Sequence, residues 1–358
     1  MPASPSDPFV PHRLLRSPDA QTIASWLLPR RNLLPAAEPR LFSVEPDVEV
    51  LCRCHWQPQR QQALTVVLVH GLEGSSESQY IVGTANKAWA ARMNVVRMNM
   101  RNCGGTERLG PTLYHSGMSS DVGAVMRTLI EQDGLAHVAL CGFSMGGNLV
   151  LKLAGELGRD RAAPPQLIAV AGVSPAVDLG PSADALNLRR NRLYEWNFVW
   201  HLRQSVRRKA EAFPGRYDLA KLAGVWSVRG FDDKVTAPYS GFTGADDYYT
   251  RSSASRILEH IAVPTLILHA TDDPFIRLRE ETRAKIAANP HIRFIETAHG
   301  GHCGFLAERN GRQGCADAGR APRLSAVGSP AHAALPEPDR WAEQQVIQFF
   351  RNPATHEQ

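Results

Sequence analysis

Short runs in which every position is apolar alternate along the chain with longer stretches in which apolar residues recur every three or four positions. The first pattern suits a strand covered on both faces and the second a helix with one buried side. The alternation therefore predicts an α/β protein with a mostly parallel central sheet flanked by helices. Strands are expected at 63–69 (ALTVVLV), 94–99 (NVVRMN), 136–141 (AHVALC), 167–173 (LIAVAGV), 264–269 (PTLILH) and 291–296. Helices are expected at 79–92, 119–132, 146–157, 278–288 and 339–351.

Three segments break the rhythm. Residues 178–255 carry aromatic and basic helical stretches between two core strands, which predicts a cap over a pocket. Residues 308–338 are rich in Ala, Gly, Pro and Arg without a sustained hydrophobic period, so a mobile insertion is expected there. Residues 1–38 are proline-rich and read as an extended surface arm. This leaves 39–177 and 256–358 as the core.

Composition narrows the class. Of 358 residues, 43% are hydrophobic and 21% charged, which excludes collagen-like, disordered and coiled-coil chains. The net charge of +5 is spread over the chain, and the basic residues are almost all arginine, so nucleic acid is not implied. No run of 18 apolar residues occurs, and the opening MPASPSDPFVPHRLLR lacks the apolar stretch of a signal peptide. A cytoplasmic location is expected. Cys52, Cys54, Cys103, Cys141, Cys303 and Cys315 form no CxxC pair and are expected as reduced thiols, with Cys52 and Cys54 sharing one face of a strand.

The chemistry centres on Gly142-Phe143-Ser144-Met145-Gly146-Gly147, a G-x-S-x-G between an apolar strand and the helical GNLVLKLAGE. A strand that turns sharply into a helix needs small residues on both flanks, and it leaves the serine hydroxyl at the sheet tip before the helix amides. A serine hydroxyl needs a base to take its proton and a carboxylate to hold that base. Both follow in order: Asp272 and Asp273 after PTLILHA, then His299 and His302 in AHGGHCG. Asp273 is the expected carboxylate, three residues beyond the small residue that ends the strand, with Asp272 as a turn former. His302 is the expected base and His299 its competitor. A zinc site built from His299, His302 and Cys303 is the rival reading of the cluster. The amides of Leu72 and Met145 are the expected oxyanion donors, and His70 is read as holding the Leu72 loop.

The segments LVHGLEGSSESQY, MNMRNCGGTERLGPTLYHSG, LCGFSMGGNLVLK, FDDKVTAPYSGF, DDYYTRSSA, PTLILHATDDPF and HGGHCGF together are similar to the YheT-like branch of the α/β-hydrolase fold. That branch contains carboxylic ester hydrolases acting on short- to medium-chain acyl esters. The similarity runs from about residue 9 to 306 and resumes at Trp341, and it implies a Ser144, Asp273 and His302 triad. Two departures stand out. Ser17-Pro18-Asp19-Ala20 precedes Gln21-Thr22 where relatives tend to have Asn-Pro-His, and 308–338 is an insertion.

The sequence thus predicts a serine esterase working through an acyl-enzyme on a small-molecule acyl ester, with no cofactor, no metal and no nucleic-acid partner. The alternatives are a thioesterase or lysophospholipase with the same triad, or a non-catalytic ligand-binding member of the fold. Activity is expected to fall in acid as His302, with an ordinary imidazole pKa near ~6.5, takes up a proton. Trp196, Phe198 and Trp200 are expected to line the acyl pocket. Arg189, Arg190, Arg192, Arg203, Arg207, Arg208 and Lys209 form a solvated cap face, with contact to a lipid surface as the competing reading. His115 is expected either to bond a loop carbonyl or to touch substrate.

Overall fold

The computed structural model describes residues 9–308 and 339–353. Eight strands make the main sheet: β1 (Glu38–Glu45), β2 (Val48–His55), β3 (Thr65–Val69), β4 (Asn94–Met98), β5 (Val138–Phe143), β6 (Leu167–Val173), β7 (Thr265–Ala270) and β8 (Ile292–Thr297). Their spatial order is β1-β2-β4-β3-β5-β6-β7-β8. From β4 to β8 all neighbours are parallel, whereas β2 is antiparallel to both β1 and β4. The all-apolar runs have the expected cause. Along β3, Val67 and Val69 face one helix layer while Val66 and Leu68 face the other, and all are buried.

Helices α2 (Gln79–Ala90) and α11 (Trp341–Arg351) cover one face. On the other lie α3 (Ser119–Glu131), α4 (Met145–Arg159) and α10 (Glu280–Ala288). In α4, Leu149, Val150, Leu151, Leu153 and Ala154 are all buried. Each larger side chain contributes roughly 1.5–3 kcal/mol on leaving water, enough to anchor the helix behind the strand that precedes it.

Between β6 and β7 the chain makes α5 (Leu179–Leu186), α6 (Arg192–Ala212), short α7 (Val228–Phe231) and α8 (Ala237–Tyr239) around a π-helical turn at Asp232–Thr236, then α9 (Ala245–Ser252). These elements bury an apolar cluster of their own, which includes Leu186, Val199, Leu202, Val206, Phe231 and Tyr248. No helix among the described residues is long and apolar enough to cross a membrane.

Two expectations change, and a third falls outside the described residues. The first 38 residues are not simply extended, because α1 occupies Pro18–Leu27. The Ser17 hydroxyl accepts from the Ala20 amide at 3.1 Å, Pro18 fills the first turn and Asp19 complements the helix dipole. Strand β1 went unseen because it is an edge strand with only Phe42 buried, so its alternation is faint. The expected insertion lies almost entirely outside the described residues, at 309–338; the short strands β9 (Leu306–Ala307) and β10 (Asp339–Arg340) pair antiparallel on either side of it.

The basic face of α6 is also less free than expected. Lys209 is buried and its Nζ donates to the carbonyls of Glu107 and Gly110, Arg208 pairs with Glu107, and Arg203 donates to the Val225 carbonyl. Cys52 and Cys54 are both buried on the same face of β2, as their alternation predicts.

Candidate active site

Ser144 sits between β5 and α4 with φ 54° and ψ −119°, a left-handed conformation that side chains rarely adopt. Its flanking glycines are required by contact. A methyl group at Gly142 would lie 2.1 Å from the Gly146 carbonyl oxygen, and one at Gly146 would lie 2.4 Å from the carbonyl oxygens of Val69 and His70. Strand, turn and helix can therefore close only without side chains at these two positions. The turn is pinned by the Ser144 amide donating to Val173 O at 2.9 Å and the Ala176 amide donating to Ser144 O at 3.1 Å.

Met145 is the first residue of α4, so its amide points out of the helix N-terminus. Leu72 lies in the loop after β3, which His70 secures. His70 Nδ1 faces Gly71 O at 2.8 Å, and Nε2 accepts from the Met100 amide at 3.1 Å. Burial lowers the His70 pKa to about 4, so the ring stays neutral and holds both contacts. The Gly71 amide donates to Tyr80 Oη, while the Leu72 and Met145 amides meet no acceptor among the described residues.

The two aspartates after β7 separate. Asp273 is buried and its Oδ2 lies 2.8 Å from His302 Nδ1. Its Oδ1 accepts from the amides of Phe275 and Ile276 at 3.1 and 2.9 Å. Burial alone would raise the Asp273 pKa, but His302 and these donors reverse that and hold it below the ordinary range. Asp272 instead accepts from the Gly301 amide at 2.9 Å and faces His299 Nδ1 at 3.4 Å, on the exposed side of the loop. Each candidate histidine thus has its own carboxylate, and among the described residues no three His, Cys, Asp or Glu side chains gather as a metal would require.

His302 is the buried partner. Burial works against its cation, but the Cys303 sulfur, 3.9 Å from Nε2, and the Asp273 carboxylate outweigh it and raise the pKa above the ordinary imidazole range.

The histidine loop is buttressed by residues that sequence reasoning passed over. The His302 amide donates to Thr22 Oγ1 of α1 at 2.9 Å, and the Cys303 amide to Ser174 Oγ at 3.1 Å. Gln21 is buried, and its amide group brackets Leu306, accepting from its N–H at 2.7 Å and donating to its carbonyl at 3.0 Å. The Phe275 ring lies tilted against the His302 ring, with centroids 4.3 Å apart, and is packed in turn by Tyr194 and Phe198 of α6. The signal was present in Gln21-Thr22, which fall within the segment that resembles the YheT-like branch.

A small, partly open cleft lies beside the elbow, lined by Leu72, Met145, Asn102, Leu202, Val206 and Phe231 among others. Trp196 and Trp200 do not reach it. They are 66% and 55% exposed, because the buried face of α6 is that of Val199, Leu202 and Val206. His115 does line it; its Nδ1 accepts from the Gly117 amide at 3.1 Å rather than bonding a carbonyl.

Comparison with known proteins agrees with this architecture. Residues 65–308 match the alpha/beta hydrolase fold family. The chain is 32% identical over 305 residues to YheT of Escherichia coli strain K12, an esterase by name, covering 85% of this chain and 88% of that protein. It is 30% identical to phospholipase ABHD3 of Mus musculus and 27% identical to monoacylglycerol lipase of Saccharomyces cerevisiae, over 68% and 69% of this chain. It spans little more than half of those two relatives, 58% and 56%. Among solved structures, a 2,6-dihydroxy-pseudo-oxynicotine hydrolase superposes with a TM-score of 0.50 at 16% identity, over 80% of this chain and 66% of that one, a likeness of fold.

Proposed function

This chain belongs to the α/β-hydrolase fold family, in its YheT-like branch, and from that premise we propose that it is a serine hydrolase of carboxylic esters with short- to medium-chain acyl groups. The observation that carries the reading is the pairing of His302 Nδ1 with buried Asp273 at 2.8 Å. That bond makes Nδ1 the donor and leaves Nε2 as the acceptor that a general base needs.

In the proposed reaction Ser144 Oγ attacks the ester carbonyl carbon as His302 Nε2 takes the hydroxyl proton. The carbonyl oxygen becomes an oxyanion between the Leu72 and Met145 amides. Collapse breaks the bond to the alcohol, which leaves with the proton from His302, and an acyl group remains on Ser144. Water then repeats the sequence, giving its proton to His302 and its oxygen to the acid. Residues 178–255 act as the cap in this reading, supported by Leu202, Val206 and Phe231 along the cavity. The relatives named for phospholipid and monoacylglycerol cleavage favour a lipid ester over a thioester.

Ser144→Ala should abolish ester hydrolysis, on the order of a million-fold in turnover, and abolish labelling by a fluorophosphonate probe while the protein stays folded. Wild-type-like turnover in the folded variant would reject the mechanism. A wild-type chain that neither labels nor hydrolyses any ester would favour the non-catalytic alternative.

A further inference from the structure

Asn102, among the residues lining the cleft beside the elbow, carries a buried side-chain amide whose hydrogen-bonding capacity is unused. Asn102 lies in the loop after β4 with φ 67° and is 2% exposed. Neither its Nδ2 nor its Oδ1 has a partner among the described residues. A buried polar atom without a partner is costly, so an amide left idle at this depth calls for a ligand that supplies both an acceptor and a donor.

Its surroundings define that ligand. Leu72 and Met145, whose amides would hold the oxyanion, line the same cavity, so whatever meets Asn102 sits close to the reacting carbonyl. Leu113, Leu202, Val206 and Phe231 supply apolar wall. The nearby Glu73 and Tyr114 are engaged with each other: Tyr114 Oη donates to Glu73 Oε1 at 2.6 Å and accepts from the Glu73 amide at 3.0 Å. Of the other polar lining, Asp232 accepts from Thr236 and Tyr249, and Tyr248 Oη donates to Ser116 Oγ; apolar wall beside the idle Asn102 amide suits an aliphatic group that carries a hydroxyl, which both donates and accepts. Resting on the esterase reading above, we propose that Asn102 recognises a free hydroxyl on the substrate, a few atoms from the ester bond, and so selects hydroxylated esters over their plain aliphatic counterparts.

The hydroxyl can belong to the alcohol or to the acyl part, and matched pairs separate these sources. We would compare 2-hydroxyethyl butyrate with propyl butyrate, and methyl 3-hydroxybutyrate with methyl butyrate, by kcat/KM. The wild type should prefer the hydroxylated member of one pair by about ten- to a hundredfold. Asn102→Gly is the informative variant, because glycine keeps the left-handed backbone without strain and removes only the amide. Its preference should collapse toward unity, with Asn102→Asp, which retains acceptors and loses the donor, in between.

The same pairs would be titrated calorimetrically against Ser144→Ala, where binding is read without turnover. Selective binding without turnover in the wild type would overturn the esterase reading and keep this one. Turnover with no discrimination in either pair, or a ratio unchanged by Asn102→Gly, would overturn this one and keep the esterase. Absence of discrimination in both kinetics and binding would assign Asn102 to an ordered water only.

Discussion

Asp272 and Asp273 are joined by one peptide bond, yet one faces His299 near the surface and the other lies buried against His302. Asparagine at 273 would leave His302 Nδ1 without its carboxylate and favour the wrong tautomer, whereas asparagine at 272 would disturb a loop contact. Asp273→Asn should therefore lower kcat by about 10⁴-fold and Asp272→Asn by no more than about tenfold, and steady-state kinetics on a nitrophenyl ester would check this ranking. The sequence favoured Asp273 for its place three residues beyond the strand's small last residue, while the separate histidine partners of the two carboxylates arise only from the turn beyond β7. The raised His302 pKa has a consequence of definite sign. The cation cannot accept the Ser144 proton, so activity is lost as pH falls through the folded-state value. The acid limb of kcat/KM should then lie above the ~6.5 of a free imidazole, in a pH-rate profile of the free enzyme. That shift was not legible from residues alone, because it depends on how closely Cys303 and Asp273 approach the imidazole.

Helix α1 shows how an element far from the motifs reaches the site. The loop from His299 to Phe305 contains Gly300, Gly301, Cys303 and Phe305 at positive φ, so it needs external support. Thr22 Oγ1 supplies it at His302, and Gln21 ties Leu306 at the loop's end. Thr22→Val keeps the shape and removes the acceptor. We expect kcat to fall about tenfold with only about 1–2 kcal/mol of stability lost, and Thr22→Ser to restore turnover; paired kinetics and chemical denaturation would test it. The strand-turn-helix around Ser144 was readable because its apolar run, glycines and amphipathic helix all pointed the same way. Helix α1 was hidden although Ser17, Pro18 and Asp19 spell a helix start, because the surrounding prolines read as extended chain.

For the whole molecule, the decisive feature is the excursion between β6 and β7, which places α6 and the π-helical turn over the carboxyl ends of the strands. Its position was legible as a break in the alternation of strands and helices. Its inner face was not, because α6 has tryptophans on the side away from the cavity and smaller residues toward it. Val206→Ala should therefore favour esters one or two methylenes longer, by up to about 0.8 kcal/mol or fourfold each, while Trp200→Ala leaves the chain-length profile unchanged. A homologous ester series with a fixed alcohol would measure both. The left-handed backbone at Ser144 has a broader consequence. Strain of this kind amounts to about 1–3 kcal/mol, against a total stability of about 5–15 kcal/mol for a typical domain. Glycine at 144 would relieve that strain and leave a sturdier but inert protein. A strained backbone at the proposed nucleophile thus narrows the margin by which the fold tolerates change elsewhere, so the conformation of one residue limits the mutational robustness of the entire chain.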